Sequence, residues 1–143
     1  MQRVATTLCI LMLCAGSAGA ESLSERISEA VDIPMEEWRD MAQGRTLTYR
    51  MNDEFFALER YGRSGDAVTL QLANGQCLEG TWSYEAPVYC FDWGADGMAC
   101  FRHTRLGDDI YIVQTEEGAD TANIQQMVAV NDVPVTCGPV VGS

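Results

Sequence analysis

Hydrophobic and polar residues alternate along most of the chain beyond its first third, which is the pattern of β-strands that bury one face. In segment 76–84, Leu78, Trp82 and Tyr84 fall on one face and Cys77 falls on the other. The next two segments carry an aromatic residue or histidine at every second position: Tyr89, Phe91, Trp93, Phe101 and His103. These strands therefore predict a sheet with one aromatic face.

The alternation predicts eight short strands, separated by the glycine, asparagine and aspartate residues that favour tight turns. The predicted strands are 45–49, 55–61, 66–72, 76–84, 89–93, 99–103, 107–111 and 124–130. Eight consecutive strands with short connections are typical of an antiparallel meander. Because closure removes exposed strand edges, we predict a mainly β fold that forms a small, lipocalin-like eight-stranded barrel or half-barrel.

A helical period precedes the strands. Pro34 suits the first turn of a helix and Gly44 can end one. The apolar residues between them fall on one side: Met35, Trp38, Met41 and Ala42. We predict a short N-terminal helix that covers one end of the barrel, and a helix that binds a partner protein is the alternative. Residues 21–33 are predicted to be a flexible acidic lead to a single β domain, 34–143.

The first 20 residues have the composition of a cleavable secretory signal. Arg3 supplies the positive charge, residues 4–15 form an apolar segment too short to span a bilayer, and 18–20 are the small residues Ala-Gly-Ala. We predict cleavage after Ala20 and a periplasmic or secreted protein. No later segment is apolar for long enough to cross a membrane.

Four of the six cysteines follow the predicted cleavage site: Cys77, Cys90, Cys100 and Cys137. An even number in an exported domain favours two disulfides, with three possible pairings. A three-residue hairpin loop within Gly94–Gly97 would place Cys90 opposite Cys100 and leave Cys77 with Cys137, whereas a two-residue loop would offset the first pair. No two of them form a Cys-x-x-Cys pair, so we predict no zinc or other metal site.

The chain is strongly acidic, with 21 Asp and Glu against 9 Lys and Arg and a formal net charge of −12. A surface of this charge repels nucleic-acid phosphates and anionic lipids, so we predict no nucleic-acid partner. It would attract a basic surface on another envelope protein. Solubility is the simpler explanation of the charge.

Few residues could carry catalysis. His103 is the only histidine, and it shares the face of Phe101, but a hydrogen-bonded structural histidine is the simpler interpretation. Ser64 and Ser83 lack a nucleophile-elbow sequence, and the paired carboxylates lie in predicted turns. The chain has no phosphate-binding glycine loop and no dinucleotide motif. We therefore predict no enzyme activity, no catalytic residue and no cofactor.

The aromatic face has two interpretations. In a narrow barrel the rings fill the interior, and in a wide barrel they line a cavity for a small ligand. The short predicted strands favour the narrow barrel. The candidate ligand-lining residues of the wide barrel are Trp82, Phe91, Phe101, His103 and Tyr111.

Several short motifs occur in a characteristic order. They are Met35-Glu-Glu-Trp38, Gly44-Arg-Thr-Leu-Thr-Tyr49, Glu59-Arg-Tyr61, Gly75-Gln-Cys77-x-x-Gly80-x-Trp82, Cys90-Phe91, Cys100 and Cys137-Gly-Pro139. This order resembles a family of small exported bacterial proteins of uncharacterised function. The resemblance implies a secreted β domain with a four-cysteine framework and brings no established activity. Phe101 departs from the family pattern, in which tryptophan often follows the cysteine.

These features together predict a non-enzymatic binding or accessory module. We expect it to contact another envelope protein through its acidic surface or loop tips, around Asp108 and Glu116. The alternative function is a barrel that binds a small apolar or aromatic ligand.

Overall fold

The computed structural model describes residues 19–138. Its elements are α1 (Leu23–Ser28), β1 (Val31–Asp32), α2 (Met35–Ala42), β2 (Thr46–Met51), β3 (Glu54–Tyr61), β4 (Ala67–Leu72), β5 (Cys77–Glu85), β6 (Val88–Asp92), a 3-10 turn (Gly94–Asp96), β7 (Met98–Leu106), β8 (Asp109–Glu116) and β9 (Ala119–Asn131). Residues 1–18, which hold most of the predicted signal peptide, lie outside the described residues.

Strands β2 to β9 form a closed antiparallel barrel. Each strand pairs with its neighbours in sequence, and β9 returns to pair with β2, so that Leu47 lies opposite Val130. The predicted eight-stranded barrel is confirmed, and closure excludes the half-barrel. Every barrel strand has a partner on both sides, as expected if closure removes the exposed edges of the meander.

Two-residue turns join some of the strands. Asn52 and Asp53 both have positive φ angles, as do Glu117 and Gly118, and this backbone suits tight hairpins between twisted strands. Asn52 and Asp53 lie in the gap between the predicted strands 45–49 and 55–61, and they are residue types that favour tight turns. The turn at Glu117-Gly118 is shorter than the gap between the predicted strands 107–111 and 124–130, because β8 and β9 extend into it and β9 reaches 13 residues.

The segment 21–33, which the sequence assigned to a flexible lead, contains α1 and β1. Ser22 caps α1 through a reciprocal pair of hydrogen bonds with Glu25. Strand β1 pairs with the end of β7 that β6 does not cover. Ile27 and Ile33 are both buried, so this segment packs against the barrel rather than preceding it.

Helix α2 closes one end of the barrel. Trp38 is 0% exposed, and its indole ring lies among the rings of Tyr61, Tyr89 and His103. The hydroxyl of Tyr89 donates to the carbonyl oxygen of Ile33 at 2.8 Å and so anchors the chain just before the helix. The predicted position of the helix is confirmed, and its apolar side is occupied by its own barrel.

The structure contains both expected disulfides. Cys90 and Cys100 lie directly opposite each other on β6 and β7 and are bonded, as are Cys77 and Cys137. A hydrogen bond from the Trp93 amide to the Gly97 carbonyl closes the three-residue loop that this register requires. The longer bridge holds the C-terminal tail against the outside of the barrel, where Gln71 also donates to the carbonyl oxygen of Thr136. No helix within residues 19–138 has the length and apolarity needed to cross a membrane.

Candidate ligand-binding cavity

The interior of the barrel is filled at one end and hollow at the other. Beneath α2, aromatic rings pack in edge and stacked contacts around Trp38, with the Tyr89 and His103 rings stacked 3.9 Å apart. Beyond His103 a cavity of about 230 Å³ extends towards the opposite end. The prediction of a filled barrel is therefore correct for the closed end and wrong for the open end. Helix α2 is the plug of the closed end and accounts for the difference, because its Trp38 indole packs among the rings of Tyr61, Tyr89 and His103.

The cavity has a mainly apolar wall. Its lining residues are Tyr49, Phe56, Glu59, Leu70, Leu72, Leu78, Phe91, Trp93, Ala99, Phe101, His103, Ile112, Asn123 and Gln125. All eight barrel strands contribute at least one of them, together with Trp93 just after β6. Glu59 and His103 lie at the buried end, and Asn123 is exposed at the rim. An apolar hollow with a few polar groups at its base is typical of small-molecule sites.

Three of the five predicted lining residues border the cavity: Phe91, Phe101 and His103. Trp82 and Tyr111 do not. Trp82 belongs to the closed end, where its ring contacts those of Tyr61 and Tyr89. Tyr111 points outward because its neighbours Ile110 and Ile112 occupy the inner face of β8, and it lines a separate outer groove beside α1.

A β-bulge changes which phenylalanine of β3 reaches the cavity. Phe55 is 48% exposed and faces away from the cavity. The β2–β3 register shifts so that Tyr49 pairs with Ala57 and Arg50 pairs with Phe55, which leaves Phe56 unpaired. Phe56 packs against the core and lines the cavity in place of its neighbour.

A glycine permits the close approach of strands beside the rim. A Cβ atom on Gly80 would collide with the carbonyl oxygen of Asp92 and would lie 2.9 Å from Cε3 of Trp93. The absence of a side chain therefore leaves room for the Trp93 indole, which stacks with Phe91 along the cavity wall at 5.8 Å.

Glu59 carries the carboxyl group at the base of the cavity. The hydroxyls of Tyr49 and Tyr61 both donate to its Oε1 atom, at 2.9 and 2.6 Å. The Trp38 indole nitrogen donates to the Tyr61 hydroxyl at 3.2 Å, which connects the helical plug to this network. Oε2 receives no hydrogen bond from any residue of the range 19–138, and the remaining 6% exposure of Glu59 shows that part of this side chain reaches open space.

Burial dominates the ionisation of this network. It raises the pKa of Glu59 to about 7, against the lowering effect of the two tyrosine hydrogen bonds. Burial also raises the pKa of Tyr49 and of Tyr61 well above the usual value, and the nearby Glu59 adds to this effect. Both phenols therefore remain protonated donors near neutral pH, whereas the carboxyl changes charge there.

We expect the stability of the protein to report this titration. Between pH 4.5 and about 7 the folded protein retains a proton that the unfolded chain releases, so rising pH favours unfolding. The free energy of unfolding of the wild type should fall by about 3 kcal/mol relative to Glu59→Gln between pH 4.5 and 7.5. Urea unfolding at several pH values measures this difference, and contributions from other titrating groups are common to both proteins. If the free energy of unfolding changed with pH in the same way for the wild type and Glu59→Gln, the raised pKa of Glu59 would be contradicted.

His103 is neutral and buried. It is 1% exposed, and desolvation lowers its pKa well below the usual value. Its Nδ1 atom has no hydrogen-bond partner in the part of the chain that the structure describes. The hydrogen bond expected for a structural His103 is therefore not found at Nδ1; the ring instead stacks on Tyr89 and makes a tilted contact with Trp38.

The cavity contains the side chains that acid–base chemistry would use, but they do not form a catalytic pair. No hydrogen bond or ion pair joins His103 to Glu59 or to another carboxylate among residues 19–138. In the same range, no three His, Cys, Asp or Glu side chains converge as metal ligands. The arrangement can hold a molecule and hydrogen-bond to it.

Sequence reasoning missed Glu59 as a site residue. The signal was present, because Ala57, Glu59 and Tyr61 alternate on one face of a predicted strand, and a carboxylate between such residues must face the interior. Burying a carboxylate costs free energy unless it is hydrogen-bonded. An inward-facing glutamate in a strand pattern therefore indicates a candidate site residue.

The chain matches no protein-family model, no curated protein and no solved structure. The cavity and its chemistry are therefore the basis for inferring its function.

Proposed function

We propose that this protein is an exported, non-enzymatic binding protein that holds a small apolar or aromatic ligand in the open half of its barrel. The cavity is the observation that carries the proposal: about 230 Å³ of space with an aromatic wall and a carboxyl group at its base. A core whose only purpose was stability would gain by filling such a space. A ligand of matching shape would bury its apolar surface there.

Two disulfides support an oxidising location. With the predicted signal peptide, they favour the periplasm or the extracellular medium as the place where the ligand is met. Membership of the exported family that the motifs resemble would agree with this location.

Protein–protein contact through the acidic loops remains a prediction, and the cavity gives ligand binding the stronger support. Asp108 and Glu117 lie in the turns before and after β8, so about 25 Å of strand separates the two acidic tips. They lie at opposite ends of the barrel and do not form one continuous acidic surface.

Filling the cavity should weaken ligand binding without unfolding the protein. Ala99 faces the cavity from β7, so the ring of Ala99→Phe would occupy the space that a ligand needs. We expect uptake of the neutral fluorescent probe N-phenyl-1-naphthylamine to weaken by at least about tenfold, which corresponds to about 1.4 kcal/mol. The measurement is a fluorescence titration of the disulfide-bonded protein.

Ala122→Phe is the matched control, because Ala122 is exposed and lies outside the cavity lining. It should bind the probe as the wild type does, and circular dichroism should show the native spectrum for both variants. Equal uptake by the wild type and Ala99→Phe would exclude the cavity as the binding site.

A further inference from the structure

The carboxyl group of Glu59 lacks a positively charged partner. The ion pairs within residues 19–138 join Arg102 to Asp32 and Asp120, and Arg105 to Glu37, all away from the cavity. Glu59 is 6% exposed, and both tyrosine hydrogen bonds go to one of its two oxygens. A buried carboxylate without a counter-ion is costly, and a cation brought by a ligand would relieve that cost.

The wall around Glu59 suits a cation with an apolar body. Phe91, Trp93 and Phe101 present aromatic rings, which attract ammonium groups as well as apolar surface. The cavity lining includes no arginine, and burial keeps His103 neutral, so no side chain of the lining repels a positive charge. The formal net charge of −12 also attracts cations to the protein.

Other ligand classes fit less well. A carboxylate or phosphate would meet Glu59 without any lining cation to bind it. A neutral molecule would leave the ionised form of Glu59 without a counter-ion. An ammonium group instead supplies both the hydrogen bonds that Oε2 lacks and the missing charge.

We infer that the ligand of the proposed binding function is a protonated amine with an apolar or aromatic body, whose ammonium group donates to Oε2 of Glu59. This inference rests on ligand binding in the cavity and adds the chemical class of the ligand.

Binding of an amine should depend on pH. The titratable groups that contact Glu59 or share its cavity are Tyr49 from β2, Tyr61 from β3 and His103 from β7, and all three are neutral near pH 7. An ammonium ion requires the ionised carboxylate, so binding to the protonated form releases one proton to solvent. Amine affinity should therefore fall about tenfold per pH unit below the pKa of Glu59, for example between pH 6 and pH 5.

Three ligands of similar shape test the inference: 2-phenylethylamine, 2-phenylethanol and phenylacetate. Each competes with N-phenyl-1-naphthylamine for the disulfide-bonded protein at pH 8. We expect the amine to bind at least about tenfold more tightly than the alcohol, because a charge-assisted hydrogen bond exceeds a neutral one. Phenylacetate should bind more weakly than either.

Glu59→Gln keeps the shape of the side chain and an oxygen that accepts from both tyrosines. It should reduce the preference for the amine over the alcohol to about one and remove the pH dependence of amine binding. Glu85→Gln removes an exposed carboxylate on β5 and should leave the preference unchanged.

The outcomes distinguish the amine class of the ligand from the binding function itself. Uptake of the neutral probe with equal competition by amine and alcohol would overturn the amine class and leave the binding function intact. A preference that survives Glu59→Gln, or tighter binding of phenylacetate, would overturn it as well. Failure of the probe and of all three compounds to bind would overturn both claims.

Discussion

Trp38→Ala is expected to lower the free energy of unfolding by about 4 kcal/mol. The indole ring is 0% exposed and lies 4.0 Å from the ring of His103, centroid to centroid. Its nitrogen also donates to the hydroxyl of Tyr61, which in turn donates to Glu59. Alanine would leave a large hole at the closed end and would free α2 from the barrel. Chemical denaturation measures the loss.

Two further variants serve as comparisons for Trp38→Ala. Trp38→Phe keeps most of the ring and loses the hydrogen bond, so it should cost less than Trp38→Ala. Met98→Ala truncates a side chain that is 65% exposed and should change stability by less than about 0.5 kcal/mol. A loss below about 1 kcal/mol for Trp38→Ala would mean that α2 does not plug the barrel in solution, and would favour a helix that binds a partner protein.

Replacing Cys77 and Cys137 by serine is expected to destabilise the protein by about 4 kcal/mol. This bridge joins residues 60 positions apart, so its loss frees a long loop in the unfolded chain. The same change at Cys90 and Cys100, which are 10 positions apart, should cost about 3 kcal/mol on the same chain-entropy argument. Urea unfolding of the two double variants measures both values under identical conditions.

The informative result is which of the two disulfides costs more stability when it is removed. The longer bridge also holds the tail that contributes the Val133 carbonyl to Thr46 and the Thr136 carbonyl to Gln71. Its removal should therefore release the tail as well as the loop. A greater loss from the hairpin bridge would show that native packing around β6 and β7 outweighs the entropy of loop closure.

The two ends of the barrel interior have different roles. Packing around Trp38 supplies stability at the closed end, which allows the open end to remain hollow. Glu59 lies between the closed and the open end and takes part in both. Its hydrogen-bond network reaches Trp38 through Tyr61, and its Oε2 atom belongs to the proposed binding site. The pH dependence of stability and that of amine binding should consequently share one pKa, near 7.

The local pattern of residues determined the fold to a large extent. Alternation predicted the eight strands, and the parity of Cys90 and Cys100 with the short loop between them indicated the disulfide register. Helical spacing around Trp38 predicted the plug. These features depend on neighbours in sequence, because side-chain direction along a strand or helix follows directly from its period.

Only the tertiary structure decided which residues form the cavity. Alternation predicts that a side chain faces inward but not how far along the barrel axis it lies. The pattern therefore groups Trp82 with Phe91, although Trp82 lies at the closed end, where Arg39 of α2 covers its ring. The bulge that exchanges Phe55 for Phe56 depends on pairing between β2 and β3. The hollow itself depends on how α2 and eight strands divide one interior, and no single segment of the chain carries that information.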